Sequence, residues 1–232
     1  MKAIVMASAI AAMSGAALGQ GMIINEILGS TSGSDWEFIE ILNNGTAPVD
    51  ITGWGVALYD SDIAAPGGLD GGSPHFVVGN VILNPGETYT WMGSLADPGY
   101  AGGSYNGTPF SWDVLLGTNI VENSSYTAIL EDGSGNAIFS AFVTDGGAGD
   151  FANQAGAAIT PDITVGPDGT FTPAGFAVLD KNLNTTWLNF DTALLNDGTI
   201  AGGTPGVNQK IPTPGALALL GVSGLAATRR RR

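Results

Sequence analysis

Twenty-one carboxylates and one imidazole, His75, are the side chains with which this 232-residue, cysteine-free chain could do acid–base, nucleophilic or metal chemistry. The missing thiolates remove a cysteine nucleophile, a disulfide framework and a zinc-finger-type centre at once. A histidine-activated hydrolase serine would sit in a G-x-S-x-G elbow, and none occurs. His75 follows Ser73-Pro74, a turn entering a strand, so a structural histidine is expected. Acids are so abundant that no single pair stands out as a glycosidase dyad.

Hard-cation binding suits these acids better, because calcium takes carboxylate and carbonyl oxygens and loosely built extracellular sites bind at about 0.1 to 1 mM. Three loops qualify: Asp60-Ser61-Asp62 with Asp70, the stretch Glu131-Asp132-Gly133-Ser134-Gly135-Asn136, and Asp145-Gly146-Gly147-Ala148-Gly149-Asp150. None reproduces a D-x-D-x-D-G loop with a distal Glu. No obligate cofactor is therefore expected, with Ca²⁺ the one candidate, offered ligands by Asp60, Asp62, Asp70, Asp132, Asp145 and Asp150. The commoner role of such acids is solvation of a protein surface. The aromatics Trp91, Tyr100, Tyr105, Phe110 and Trp112 would suit a carbohydrate-stacking platform, but packing at the end of a sandwich accounts for them more simply.

The positive charges are segregated. The net charge is −14, yet five of the seven cations lie at the ends: Lys2 and the block Arg229 to Arg232. The N-terminus runs from Lys2 through an apolar stretch, Ala3 to Ala12, into small residues that finish at Ala17-Leu18-Gly19. This is the order of a secretory signal peptide, residues 1–19, with cleavage near Gly19. At the other end Pro212-Thr213-Pro214-Gly215 precedes thirteen uncharged residues, Ala216 to Thr228, and then the arginines. Thirteen helical residues cover about 20 Å, short of the ~30 Å hydrocarbon core, so residues 210–232 read as a marginal membrane segment with a cytoplasmic arginine stop. Between these ends, residues 20–211 keep all 21 acids and only Lys181 and Lys210, a charge of −19. That body opposes nucleic-acid binding, since a duplex repels a net anion that lacks a basic stripe.

The elements that must position these groups read as strands. With 36 glycines and 12 prolines the chain opposes long helices, apart from the two short apolar terminal segments. Runs rich in β-branched and aromatic residues, bounded by Gly, Pro, Asn or Asp, recur at 22–28, 37–42, 54–59, 75–83, 88–92, 126–130, 138–143 and 176–179. Such spacing argues for an antiparallel sandwich or barrel. In Glu37-Phe38-Ile39-Glu40-Ile41-Leu42, alternation puts Glu37 with Ile39 and Ile41, and Glu40 with Phe38 and Leu42. Neither face is purely apolar, so a carboxylate there must sit at a rim or be hydrogen-bonded.

Ile24-Asn25-Glu26-Ile27, then Glu37-Phe38-Ile39-Glu40-Ile41-Leu42-Asn43, then Val49-Asp50-Ile51-Thr52-Gly53-Trp54 together resemble the opening of the lamin-tail domain family. Asn84-Pro85-Gly86 and the closing Thr204-Pro205-Gly206-Val207-Asn208 are similar to its later turns. The resemblance implies an immunoglobulin-like antiparallel β-sandwich over residues 20–209, in which Asn25, Asn43 and Asp50 tie strand ends and Trp54 packs in the core. Residues 96–122 and 145–180 exceed the compact family core and are expected to be loop insertions. The tail resembles the PEP-CTERM class of bacterial sorting signals, with Thr213 standing between Pro212 and Pro214 where that class has Glu. This implies membrane retention followed by processing at the proline segment. Four Asn-x-Ser/Thr triplets, from Asn44, Asn106, Asn123 and Asn184, read as turn composition in a bacterial protein.

The expectation is a non-enzymatic exported protein at a bacterial cell surface or in its extracellular matrix. Its partner would be an extracellular protein or polysaccharide, with the membrane engaged only through the tail. A calcium- or glycan-dependent binding module is the alternative.

Overall fold

The computed structural model describes residues 21–29, 37–62, 66–93, 103–117, 119–121, 124–166, 175–180, 182–188 and 203–208. Gly19, Pro212, Thr213, Pro214 and both terminal apolar segments lie outside the described residues. Strands and turns make up the described part, with no helix in it, and none there long and apolar enough to cross a membrane.

In chain order the strands are β1 (Met22–Leu28), β2 (Phe38–Asn43), β3 (Val49–Asp50), β4 (Gly55–Asp60), β5 (His75–Phe76), β6 (Ile82–Leu83), β7 (Thr88–Met92), β8 (Ser104–Tyr105) and β9 (Thr108–Pro109). There follow β10 (Val114–Leu115), β11 (Tyr126–Glu131), β12 (Ala137–Val143), β13 (Asn153–Gln154), β14 (Ala157–Ala158), β15 (Ile163–Val165), β16 (Gly175–Val178) and β17 (Thr185–Trp187). One sheet runs β10-β7-β2-β1-β16-β17 and a second runs β15-β12-β11-β4-β5, while β3-β6, β8-β9 and β13-β14 form two-stranded ribbons.

Pairing is antiparallel except where β10 joins β7 and β15 joins β12. Both parallel additions come from segments the sequence led us to expect as loops. Residues 96–122 supply β8 to β10, and residues 145–180 supply β13 to β15 besides β16, which matches the strand run read at 176–179. Of these, β10 and β15 are edge strands of the two large sheets, β8-β9 and β13-β14 are separate ribbons, and β16 lies between β1 and β17. The run 75–83, expected as one strand, is also divided. Gly79 has φ of 83°, a left-handed conformation that breaks the ladder. As a result β5 pairs with β4, and β6 with β3.

The two large sheets share one core. Ile24, Ile27, Ile39, Ile41, Tyr89 and Trp91 from the first sheet join Val56, Leu58, Ala128, Leu130, Ala141 and Val143 from the second. Each such aliphatic side chain contributes about 1.5–3 kcal/mol on full burial. The first sheet is covered on its outer face as well. Leu28, Phe38, Met92 and Ala177 form a second cluster there with Phe110, Leu188 and Val207. That double burial explains why every residue of β1 and β2 is buried although the sequence of β2 alternates imperfectly. It also forces Glu26 and Glu40 into the interior.

Candidate functional site

Two groups of carboxylates come together, one sealed and one partly open. The sealed group begins at a bulge in β1 between Ile24 and Glu26, after which Glu26 lies opposite Glu40 of β2. Both are fully buried. Glu40 Oε1 accepts from Asn25 Nδ2 at 2.6 Å, and its Oε2 accepts from Thr90 Oγ1 at 3.0 Å and from the Gly206 amide at 2.6 Å. Glu26 accepts from Thr204 Oγ1 at 2.6 Å and from the Thr204 amide at 2.8 Å. Burial, with the charge of Glu26 as the next contribution, holds the Glu40 carboxyl well above the usual carboxylate range. Glu37, also buried, accepts from the amides of Ile120 and Val121 at 2.7 and 3.1 Å.

Each of these glutamates thus receives donors from the protein itself, and buried acceptors so engaged are held away from substrate. Alternation along β2 asks for a carboxylate that sits at a rim or is hydrogen-bonded, but it carries no sign that the donors come from Thr204 and Gly206 at the far end of the sequence. The signal that could have joined them is the coexistence of the opening N-E and E-F-I-E segments with the closing T-P-G.

The open group is set by strand register. Tyr126 at the start of β11 pairs with Asp60 at the end of β4 and with Val143 at the end of β12. The loops after β4 and β12 therefore meet at one end of the second sheet, on either side of Ser125. There Asp62, Asp145 and Asp150 each present a carboxylate oxygen, all within 4.8 Å of one another. Ser125 Oγ donates to Asp150 Oδ2 at 2.6 Å and approaches Asp145 Oδ1 at 3.2 Å. The loop is closed by Gly147 N on Asp145 Oδ1 at 2.8 Å and Gly146 N on Thr144 Oγ1 at 3.0 Å. A Cβ on Gly147 would lie 2.7 Å from both Asp150 oxygens, so a side chain there would push that carboxylate aside. Asp62 is raised above the usual carboxylate range, chiefly by burial and then by the charges of Asp150, Asp60 and Asp145, against a hydrogen bond from Ser124.

The remaining candidates serve turns. Asp60 Oδ1 accepts the Asp62 amide at 2.8 Å. The Asp70 backbone bonds Leu58 O and Ser73 N. Asp132 accepts from the amides of Ser134 and Asn136 and from Asn136 Nδ2, and those bonds hold it below the usual range. The structure thus draws Asp62 to Asp145 and Asp150, a grouping that sequence proximity to Asp60 and Asp70 does not suggest.

His75 is buried, with Nε2 donating to Ile120 O at 2.9 Å, and burial lowers its pKa. Ser73 Oγ is occupied by both backbone groups of Leu58. Neither group is set to activate the other. Among the aromatics, Trp91 is fully buried and donates from Nε1 to Phe76 O at 2.9 Å, Phe110 is buried, and Tyr105 and Trp112 pack against the second cluster. Tyr100 lies outside the described residues. Asn43 anchors three strand ends and turns, donating to Ala47 O and Leu83 O and accepting from the Gly45 amide. Trp54 is half-buried against the shared core.

Comparison with protein families matches residues 16–145 to the model described as Lamin Tail Domain. No curated protein matches the chain. The family match ends before β15 to β17 and the segment at 203–208, although these pack on the sheets that the matched region builds.

Proposed function

The chain belongs to the lamin-tail domain family, and from that premise we propose that it is an exported, non-enzymatic bacterial surface or matrix protein whose acidic β-sandwich is a structural or adhesive module. The immunoglobulin-like form of the sandwich is part of the same reading, supported by two sheets sharing one core. The observation that carries it is the fate of the glutamates. Glu26, Glu37 and Glu40, which crowd the opening strands, are all spent on amide and hydroxyl donors of the fold. A chain of −19 placed between two cationic ends fits export of the body and retention through the tail. The partner would be an extracellular protein or polysaccharide, and nucleic acid is disfavoured by the charge. A hydrolase panel on the purified body tests the non-enzymatic part. No turnover sensitive to Glu40, Asp150 or His75 is expected, and an activity abolished by replacing one of them would overturn it.

Calcium dependence is the second reading, favoured by the meeting of Asp62, Asp145 and Asp150 from two separate loops. Three carboxylate oxygens are donors of the kind a hard cation takes. Calorimetry at millimolar Ca²⁺ tests it: binding heat lost in Asp150→Asn supports the reading, and no heat rejects it.

A further inference from the structure

The segment Gly203–Asn208 closes the outer face of the first sheet through bonds that converge on two adjoining carboxylates. Thr204 reaches Glu26 with its amide and hydroxyl, and the Gly206 amide reaches Glu40. Ser111 N donates to Pro205 O at 3.0 Å, Asn208 Nδ2 donates to Gly86 O at 3.0 Å, and Val207 enters the second apolar cluster. Gly206 has φ of 76°, and a Cβ there would collide with Ser111. The segment is therefore a fitted strap, and its hold on the domain passes through Glu26 and Glu40.

We propose that Gly203–Asn208 is a proton-dependent strap, closed while the facing Glu26 and Glu40 carboxyls share one proton and loosened when that proton is lost. Three features of the geometry lead there. Glu40 is fully buried, and Glu26 is its direct cross-strand neighbour. Glu40's own partners, Asn25, Thr90 and the Gly206 amide, are all neutral, and although their bonds favour its charged form, burial and the charge of Glu26 outweigh them. The Thr90 hydroxyl can accept as well as donate, so a protonated Glu40 keeps its partner there.

The groups facing Glu40 offer no compensation for a second charge. On β1 stands Glu26. Behind β7, Asp113 Oδ2 accepts the Thr90 amide at 2.8 Å, and Asp113 is itself raised by burial. On β16, Ala177 is the partner of Glu26. The strap has no titratable side chain among Gly203, Thr204, Pro205, Gly206, Val207 and Asn208. Ionising Glu40 in the closed state is thus opposed by burial and by like charge, and opening the strap lets water solvate it. Two carboxyls face each other in the interior, so closure binds one proton on the pair more tightly than opening does, in keeping with the raised Glu40. Between the ordinary range and the raised value, opening then becomes more favourable by about tenfold per pH unit, the slope for release of one proton. The inference concerns the fold alone and stands whether or not the protein is exported.

Native-state hydrogen exchange on the full chain, corrected for the intrinsic pH dependence, tests it. The Thr204, Gly206 and Val207 amides should lose about tenfold protection per pH unit across that window, while the Ala128 to Leu130 amides in β11 keep theirs. Glu40→Gln should flatten the dependence. Strap protection that is independent of pH, or that falls in parallel with β11, would overturn the proposal. Should Glu40→Gln fail to fold, the ¹³C carboxyl signals of Glu26 and Glu40 in the unsubstituted protein decide. A midpoint well above the ordinary carboxylate range for either supports the strap, and ordinary midpoints for both refute it.

Discussion

The amide of Gly206 donates to Glu40 Oε2 at 2.6 Å across 166 residues of sequence. This bond ties the last described segment to the second strand of the first sheet, and the adjacent Thr204 makes a parallel tie to Glu26 in the first strand. The domain is thereby closed end to end by buried polar bonds, which matter most when one partner is removed.

Replacing Thr204 by valine keeps the shape and deletes the hydroxyl that donates to Glu26. A buried carboxylate that loses a donor costs about 1–3 kcal/mol. Denaturant unfolding should show a lowered midpoint with an unchanged slope. Thr204→Ser should recover most of the loss.

Core and surface aliphatics should behave differently at equal chemistry. Ile41 is fully buried and Ile82 is 62% exposed. Ile41→Ala should cost about 2–5 kcal/mol, whereas Ile82→Ala should stay within about 0.5 kcal/mol. Thermal unfolding of the pair checks this.

His75 gives a pH signature on the acid side. Burial lowers its folded-state pKa, so the unfolded chain binds the proton more readily. Its contribution is complete above about 6.5, the unperturbed value, and is lost as pH falls through that value toward the lower folded one. The stability difference between the protein and His75→Gln should shrink on acidification through this window. A difference that grows there would contradict the buried neutral imidazole.

Asp62 should act with the opposite sign. Burial and the charges of Asp150, Asp60 and Asp145 raise its folded value, so its ionisation weakens the fold as pH rises from the ordinary carboxylate range to the raised value. Asp62→Asn should therefore raise Tm at neutral pH, by an amount that diminishes with added salt. In millimolar Ca²⁺ the order reverses if the cluster takes the ion: the unsubstituted protein gains Tm and Asp62→Asn gains less. Gly147→Ala, whose Cβ displaces the Asp150 carboxylate, should blunt the same gain.

Local pattern alone revealed the strands whose two ends carry turn chemistry. Met22–Leu28 and Thr88–Met92 are found with the boundaries their composition suggests. The run 75–83 misled because its apolar residues continue past Gly79, where the backbone turns and changes partners. Residues 96–122 and 145–166 misled because glycine-rich sequence gives no periodicity from which a two- or three-residue strand can be read. For the acids, residue type identified Asp62, Asp145 and Asp150 as candidates, but their meeting depends on the register that places Tyr126 opposite both Asp60 and Val143. Register is a long-range quantity, and so is the bond from Gly206 to Glu40.

The most direct test of the surface-module reading is cell fractionation with intact-mass measurement, comparing the complete chain with one lacking residues 212–232. The complete chain should appear in the surface or extracellular fraction with a mass that lacks the segment through Gly19, and the truncated chain should be exported but no longer retained. A full-length mass in the cytosol, or normal surface retention of the truncated chain, would contradict it.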